Sequence, residues 1–399
     1  MLSEKLENLA LRHNSIVIFR GMGNDNVISD LMYLLSADTD NAEKFIGYYC
    51  DFAGSLYETG DTDISKHILK VILEDDNFYI RKSAKGESIP QEITECLINE
   101  LQFFQELTEL TPDDFTENLD YDGFLPEWTN SPVDIVGSYM ERLKLVHRYG
   151  YGKYAQYTMF SMNGGEIVPV KYPDKQKLSE LYGYERERQA VIGNTLALVN
   201  GKKAQNVLLY GDAGTGKSST VKAVVNEFAN MGLRLVEITK EQLKDIPIII
   251  DELSENPLKF IVFIDDLSFT SGEDCFGALK AVLEGSVSAR SDNIAIYATS
   301  NRRHLIKESF SDREGDDIHR NDTMQEMLSL SARFGLRVNF SRPDKKSYTA
   351  IATELAKAHG VNLPDDEIIL RAEQFAVSSG NGRSPRTAKQ FVNQLIMEM

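Results

Sequence analysis

Gly211-Asp212-Ala213-Gly214-Thr215-Gly216-Lys217-Ser218 has the spacing of a loop that wraps phosphate groups. Its glycines let backbone N–H groups turn inward, the lysine reaches the outer phosphates, and the serine hydroxyl is a ligand for Mg²⁺. The apolar run Asn206–Tyr210 before it reads as a buried strand. From Ser218 and Ser219 to Asn230 the spacing is helical, so the positive end of a helix faces the same phosphates. A site of this kind needs an acid at the end of a second buried strand, and Phe260–Ile264 followed by Asp265 and Asp266 fits. Asp265 with Ser218 suffices for Mg²⁺, which keeps several of its waters. Asp266 stands where many such proteins place a glutamate that polarises the attacking water. It is one methylene shorter, and water positioning is limited by geometry. A third apolar strand, Ile294–Ala298, runs into Thr299-Ser300-Asn301. The amide of Asn301 there can reach a γ-phosphate and orient water. Arg302, Arg303 and His304 follow, beside the site or on its rim.

The elements that hold these residues alternate. Strand candidates at 205–210, 233–238, 260–265, 293–299 and 336–340 are separated by helical stretches. Such alternation implies an α/β core, a parallel five-stranded sheet with helices on both faces. After Ser341 the pattern is helical again, at Lys345–His359, Asp365–Ser378 and Pro385–Met399, a C-terminal helical lid. Before the core, residues 1–160 read as a mostly α-helical N-terminal domain. Its apolar residues recur at three- and four-residue spacing in Ala42–Leu56, Ile64–Leu73, Pro90–Leu107 and Pro132–Arg148. Thr111-Pro112-Asp113-Asp114 is a helix-start signal. Ser15–Phe19 fits a short strand or a helix, and 118–131 reads as loop. Met162-Asn163-Gly164-Gly165 and Pro169–Pro173 interrupt the periodicity, which places a linker at 161–178, the core at 179–341 and the lid at 342–399.

The formal charge of −18 is unevenly spread. Residues 1–170 hold 29 acidic and 13 basic side chains, and no Lys or Arg occurs between Lys85 and Arg142. That surface repels nucleic acid and favours basic partners, or is a well-solvated helical face. Arg142–Tyr157 departs from the trend, with five basic side chains interleaved with Tyr149, Tyr151, Tyr154 and Tyr157. Basic and aromatic residues together can hold single strands, and equally can pack a helix end. Trp128, beside Phe124 and Pro126, reads as a packing residue. Three scattered cysteines, no signal peptide and no membrane-length apolar run fit a cytoplasmic protein.

GDAGTGKS at 211–218, IVFIDD at 261–266, ATSN at 298–301 and SARFG at 331–335 occur in the order and spacing of the AAA+ ATPases, which residues 180–399 resemble. Within that superfamily, IDDLSF at 264–269, ATSNRRHL at 298–305 and GRSPRTAKQF at 382–391 resemble a poorly characterised bacterial ATP-binding family. The resemblance implies ATP with Mg²⁺ as ligands. It implies Walker A roles for Lys217 and Ser218, Walker B roles for Asp265 and Asp266, and a sensor 1 role for Asn301. It also implies that Tyr182-Gly183-Tyr184 lies near adenine, that Arg333 is an arginine finger, and that Arg386 is sensor 2 with Arg383 as the nearest rival. An arginine finger is worth roughly 10³–10⁵ in rate in related NTPases. If Arg333 lies away from its own loop, it acts on a neighbour's nucleotide and the active form is a homo-oligomer. The place after the second strand where unfoldase rings carry an aromatic loop reads Thr239–Pro247 without an aromatic, against polypeptide threading. Lys307–Thr323 reads as a charged surface insertion.

Three functions fit these features: an ATP-hydrolysing machine that recruits a protein client, a nucleic-acid-associated ATPase resembling helicase loaders or transposition helpers, and a slow nucleotide switch or scaffold. The acidic N-terminal part favours the protein client over nucleic acid.

Overall fold

The computed structural model describes residues 4–38, 41–117, 119–268, 275–284, 292–301 and 330–398. Two compact units make up the chain, Met1–Gln156 and Tyr157–Met399.

In the first unit the regular elements among the described residues are helices. They begin where a short polar side chain can accept a first-turn N–H: Asp25, Asn41, Asp63, Asn77 and Asp134 each do so. The Thr111 signal opens the short helix Pro112–Thr116 with a capping box. The longest helices, Ala42–Glu58 and Gln91–Leu107, turn their apolar faces onto a core containing Phe19, Phe45, Phe52, Phe104 and Tyr139. Trp128 belongs to that core, with the rings of Phe52 and Phe115 edge-on at 5.4 and 6.2 Å. Two expectations need correction. Ser15–Phe19 is neither strand nor helix, because the N–H groups of Val17, Ile18 and Phe19 all donate to the buried Glu100 carboxylate at 2.7–3.1 Å. The helix expected over Pro132–Arg148 is two, Ile135–Lys144 and Val146–Tyr149, broken at Leu145 where φ is −109°.

The second unit is built on a seven-stranded sheet. Its strands are β1 (Met159–Asn163), β2 (Glu166–Pro169), β3 (Val207–Gly211), β4 (Leu233–Ile238), β5 (Lys259–Ile264), β6 (Ile294–Ser300) and β7 (Leu336–Phe340). The order is β2-β1-β4-β5-β6-β3-β7, parallel throughout except for the β1–β2 pair. All five expected strands are present. The two additional ones, over 159–169, run from the end of the expected N-terminal domain into the first half of the stretch read as a linker. Gly164 and Gly165, at φ 59° and 87°, are the two-residue turn of the β1–β2 hairpin, with Asn163 paired to Glu166. The linker reading took a hairpin turn for a chain break.

β3, β5 and β6 are almost wholly apolar and buried, as strands covered on both faces must be. Their register sets Ile264 beside Ala298 and Leu209 beside Thr299. The loops after β3 and β5 and the end of β6 therefore meet at one edge of the sheet, the edge where open α/β sheets bind ligands. Beyond β7, the helices Lys345–Ala358, Asp365–Ser378 and Pro385–Glu398 close over Tyr348, Ile351, Ile368, Ala372, Phe391 and Leu395.

Candidate functional site

The loop 211–218 turns as tightly as its glycines allow. Gly211 has φ 133°, and a Cβ there would sit 2.2 Å from the Phe340 carbonyl oxygen of the adjacent β7. Gly214 has φ 76° and faces Arg386 and Ser384 of the lid, each about one contact away at 3.2 Å from the position of a Cβ. Gly216, left-handed at φ 91°, starts the helix Lys217–Phe228.

Lys217 is 6% exposed, an unusual place for an ammonium. Its Nζ donates to the carbonyls of Gly211 and Asp212 at 3.1 and 2.7 Å and to Oδ1 of Asn301 at 3.0 Å. Burial pulls its pKa below the usual lysine value, against the opposing pull of Asp212, Asp266 and Asp265. Ser218 donates its hydroxyl to Oδ1 of Asp265 at 2.6 Å, and Thr299 donates to the same oxygen at 2.5 Å. The Asp266 N–H reaches Thr299 Oγ1 at 2.9 Å. Asn301 continues the chain by donating from Nδ2 to Oδ1 of Asp266 at 2.7 Å. Five of the residues singled out by sequence thus form one hydrogen-bonded cluster. Thr299, which ties both aspartates, carries no assigned role in the sequence pattern. Its signal was a hydroxyl directly after the apolar run of β6.

Asp266 holds φ 52°, left-handed. Asp and Asn tolerate this region better than most side chains, which gives a local reason for Asp where a Glu was expected. The oxygens suited to Mg²⁺ are few. Ser218 Oγ and Asp265 Oδ1 are adjacent hard oxygens, and no larger group of His, Cys, Asp and Glu suited to a metal occurs among the described residues. Few protein ligands and several waters suit Mg²⁺, so the pair fits.

Tyr184 is also left-handed, at φ 60°. Its ring stacks on Phe340 at 5.3 Å and its hydroxyl donates to the Ser341 carbonyl at 2.7 Å. Burial, then Glu187 and Asp212, pushes the phenol pKa well up. Tyr182 packs half-buried against the lid core. Tyr184 therefore lies where β7 hands over to the lid, near Asp212 of the loop.

The two lid arginines separate clearly. Arg383 makes a two-point ion pair with Glu373 at 2.9 and 2.8 Å, which holds the Glu373 carboxyl below its usual range. Arg386 instead opens the last helix beside the loop, its N–H donating to the Gly214 carbonyl at 3.1 Å. Arg333 is not part of the cluster. It precedes β7, whose other end pairs Phe340 with Gly211. At the rise of a strand β7 itself is about 13 Å long, and Arg333 lies on the helical turn before its opposite end. Arg302, Arg303, His304 and Lys307–Thr323 lie outside the described residues.

In the first unit the basic–tyrosine stretch is turned on itself. Arg142 lies 4.8 Å and Arg148 5.5 Å from the Tyr149 ring centre, and Lys153 is 5.1 Å from that of the buried Tyr154. No helix among the described residues is long and apolar enough to cross a membrane.

The model of a family described as "Protein of unknown function (DUF815)" matches residues 153–399. Similar proteins include the chromosomal replication initiator protein DnaA of Streptococcus pyogenes serotype M5, 25% identical over 214 residues, 50% of this chain and 44% of the relative. DnaA of Streptococcus uberis is 26% identical over 200 residues, 47% of this chain and 41% of the relative. The chain thus spans less than half the length of these relatives. Among solved structures, the Thermotoga maritima RuvB Holliday junction branch migration motor is similar with a TM-score of 0.37 and 15% identity, over 55% of this chain and 63% of that one.

Proposed function

From the premise that the chain belongs to the family described as protein of unknown function (DUF815), and through it to the AAA+ superfamily, we propose that it binds ATP with Mg²⁺ and hydrolyses it. The observation that carries this reading is the continuous hydrogen-bonded chain Lys217, Asn301, Asp266, Thr299, Asp265 and Ser218. Lys217 supplies a desolvated positive charge at the mouth of the loop, where it is worth most. Ser218 and Asp265 would hold Mg²⁺, which, when bound, supplies charge against the outer phosphates. Asp266, its carboxylate fixed by Asn301, is placed to orient a water, and the other face of the Asn301 amide meets Lys217. Arg386, beside Gly214, is the sensor 2 candidate in reach of the loop, since Arg383 is engaged with Glu373. Arg333, at the far end of β7, would serve a neighbour's nucleotide, so the active species is proposed to be a homo-oligomer.

Hydrolysis would drive the remodelling or recruitment of a protein client by the acidic helical unit. A second reading, a nucleic-acid-associated ATPase, is favoured by the name of the DnaA relatives. The acidic charge of the first unit and its self-stacked arginines and tyrosines weigh against contacts there. Phosphate release by wild type, Lys217→Ala and Asp266→Ala tests the enzyme. Both variants are expected to lose roughly 10²-fold or more. Equal inactivity of all three, with ATP still bound by the wild type, leaves only a switch. Mixing Arg333→Ala with Asp266→Ala should restore part of the activity, and absence of rescue counts against action between subunits. DNA that stimulates the wild type would favour the second reading.

A further inference from the structure

We propose that Asp212 is a latch that joins the phosphate loop to the lid, a positioning residue rather than a ligand of the nucleotide. The proposal rests on the ATPase reading above and adds to it a route by which the loop sets the lid. A carboxylate inside a loop that encloses a triphosphate repels its ligand, so the phosphate chemistry gives no reason for an acid at this place.

Asp212 is tied on every side. Its N–H donates to the Phe340 carbonyl at 3.1 Å. Its own carbonyl accepts from Lys217 Nζ at 2.7 Å and from Thr215 Oγ1 at 2.8 Å. The carboxylate is left for a longer reach: Oδ2 accepts the backbone N–H of Arg342 at 2.8 Å. Arg342 is in the connector between β7 and the first lid helix, which Asp344 caps through the Ser347 N–H. The Arg342 guanidinium lies over Gly382, where a Cβ would come within 3.1 Å of Nη1. Gly382, at φ 68°, opens the run that leads to Arg386. There the chain returns to the loop through the Arg386 N–H and the Gly214 carbonyl at 3.1 Å.

The loop therefore touches the lid region at two points, Asp212 on the connector and Gly214 on the last helix. Two anchors on one short loop fix an angle where one would leave a swivel. A rearrangement of the loop around phosphates shifts both anchors, and with them the helix that carries Arg386. Coupling of this kind needs differential contacts in the two lid positions, and the Asp212–Arg342 bond is one.

Amide hydrogen exchange without nucleotide tests the latch on its own terms. Asp212→Ala should raise exchange at 341–344 and at 380–386 together, by roughly tenfold. Asp212→Asn, whose amide oxygen still accepts the Arg342 N–H, should stay near wild type. Exchange in the helix Lys217–Phe228 should be the same in all three, which separates a released latch from a damaged loop. With ATP, Asp212→Ala should bind as tightly as wild type or more tightly, since a negative charge is gone. Its turnover should fall by about fivefold or more, and Asp212→Asn should restore it. Unchanged exchange at 341–344 and 380–386 in Asp212→Ala overturns the latch, whatever the protein does with ATP. Equal loss of affinity and turnover, or unaltered turnover, also overturns it. A wild type that takes up no ATP refutes the ATPase reading, while the exchange result still decides the latch.

Discussion

Glu100 in the helical unit and Asp265 in the sheet unit are both crowded with donors, and their shortest contacts differ in kind. Glu100, 6% exposed, takes the N–H groups of three consecutive residues, Val17, Ile18 and Phe19. These donors belong to the backbone and cannot turn away without unravelling the segment. Asp265, half-buried, takes the hydroxyls of Ser218 and Thr299 at 2.6 and 2.5 Å and, more weakly, the N–H of Asp266 at 3.2 Å. A hydroxyl rotates, and its oxygen can exchange a proton contact for a metal contact. The first carboxylate closes a fold, whereas the second is set among partners that can be traded. The two carboxylates therefore differ in how readily their partners can be released.

Substitutions break or sharpen this contrast. Lys217→Ala should have the largest effect. Removing the partner of a desolvated charge costs about 2–5 kcal/mol of ligand interaction, so affinity for ATP should fall roughly 30-fold or more by calorimetry. Glu100→Ala should cost the helical unit about 2–4 kcal/mol, since buried N–H groups lose a charged acceptor. Urea unfolding would show this, with ATP affinity unchanged. Asp265→Ala should reverse the pattern, with turnover reduced by roughly 10²-fold and the unfolding free energy within about 1 kcal/mol of wild type. If Asp265→Ala destabilises as much as Glu100→Ala, the contrast between the two acids fails. The smallest effect belongs to Asp266→Glu. A longer acid restores reach, yet a left-handed backbone suits it less well. Stability should fall by under about 1 kcal/mol and turnover should stay within about tenfold.

The parallel strands were legible because buried parallel strands are apolar runs of fixed length, and the glycine-rich loop because binding phosphates needs particular residues at particular spacing. The β1–β2 hairpin was missed since Gly164-Gly165 looks the same in a tight turn and in a linker. The Ser15–Phe19 conformation is decided by Glu100, more than eighty residues away, and a side chain reaching backbone over that distance leaves no periodic trace. The Asp212–Arg342 bond is of the same type. Asp212 was read as part of the loop from spacing alone, which says nothing about where its carboxylate points. The choice between Arg383 and Arg386 needed Glu373, which lies on another helix.

ATP binding measured by calorimetry with and without Mg²⁺, on wild type and on Ser218→Ala, tests the central claim most directly. The wild type should bind ATP at least about tenfold more tightly when Mg²⁺ is present, and Ser218→Ala should lose most of that gain. A wild type that takes up no ATP under either condition, or a Mg²⁺ effect indifferent to Ser218, would contradict the account.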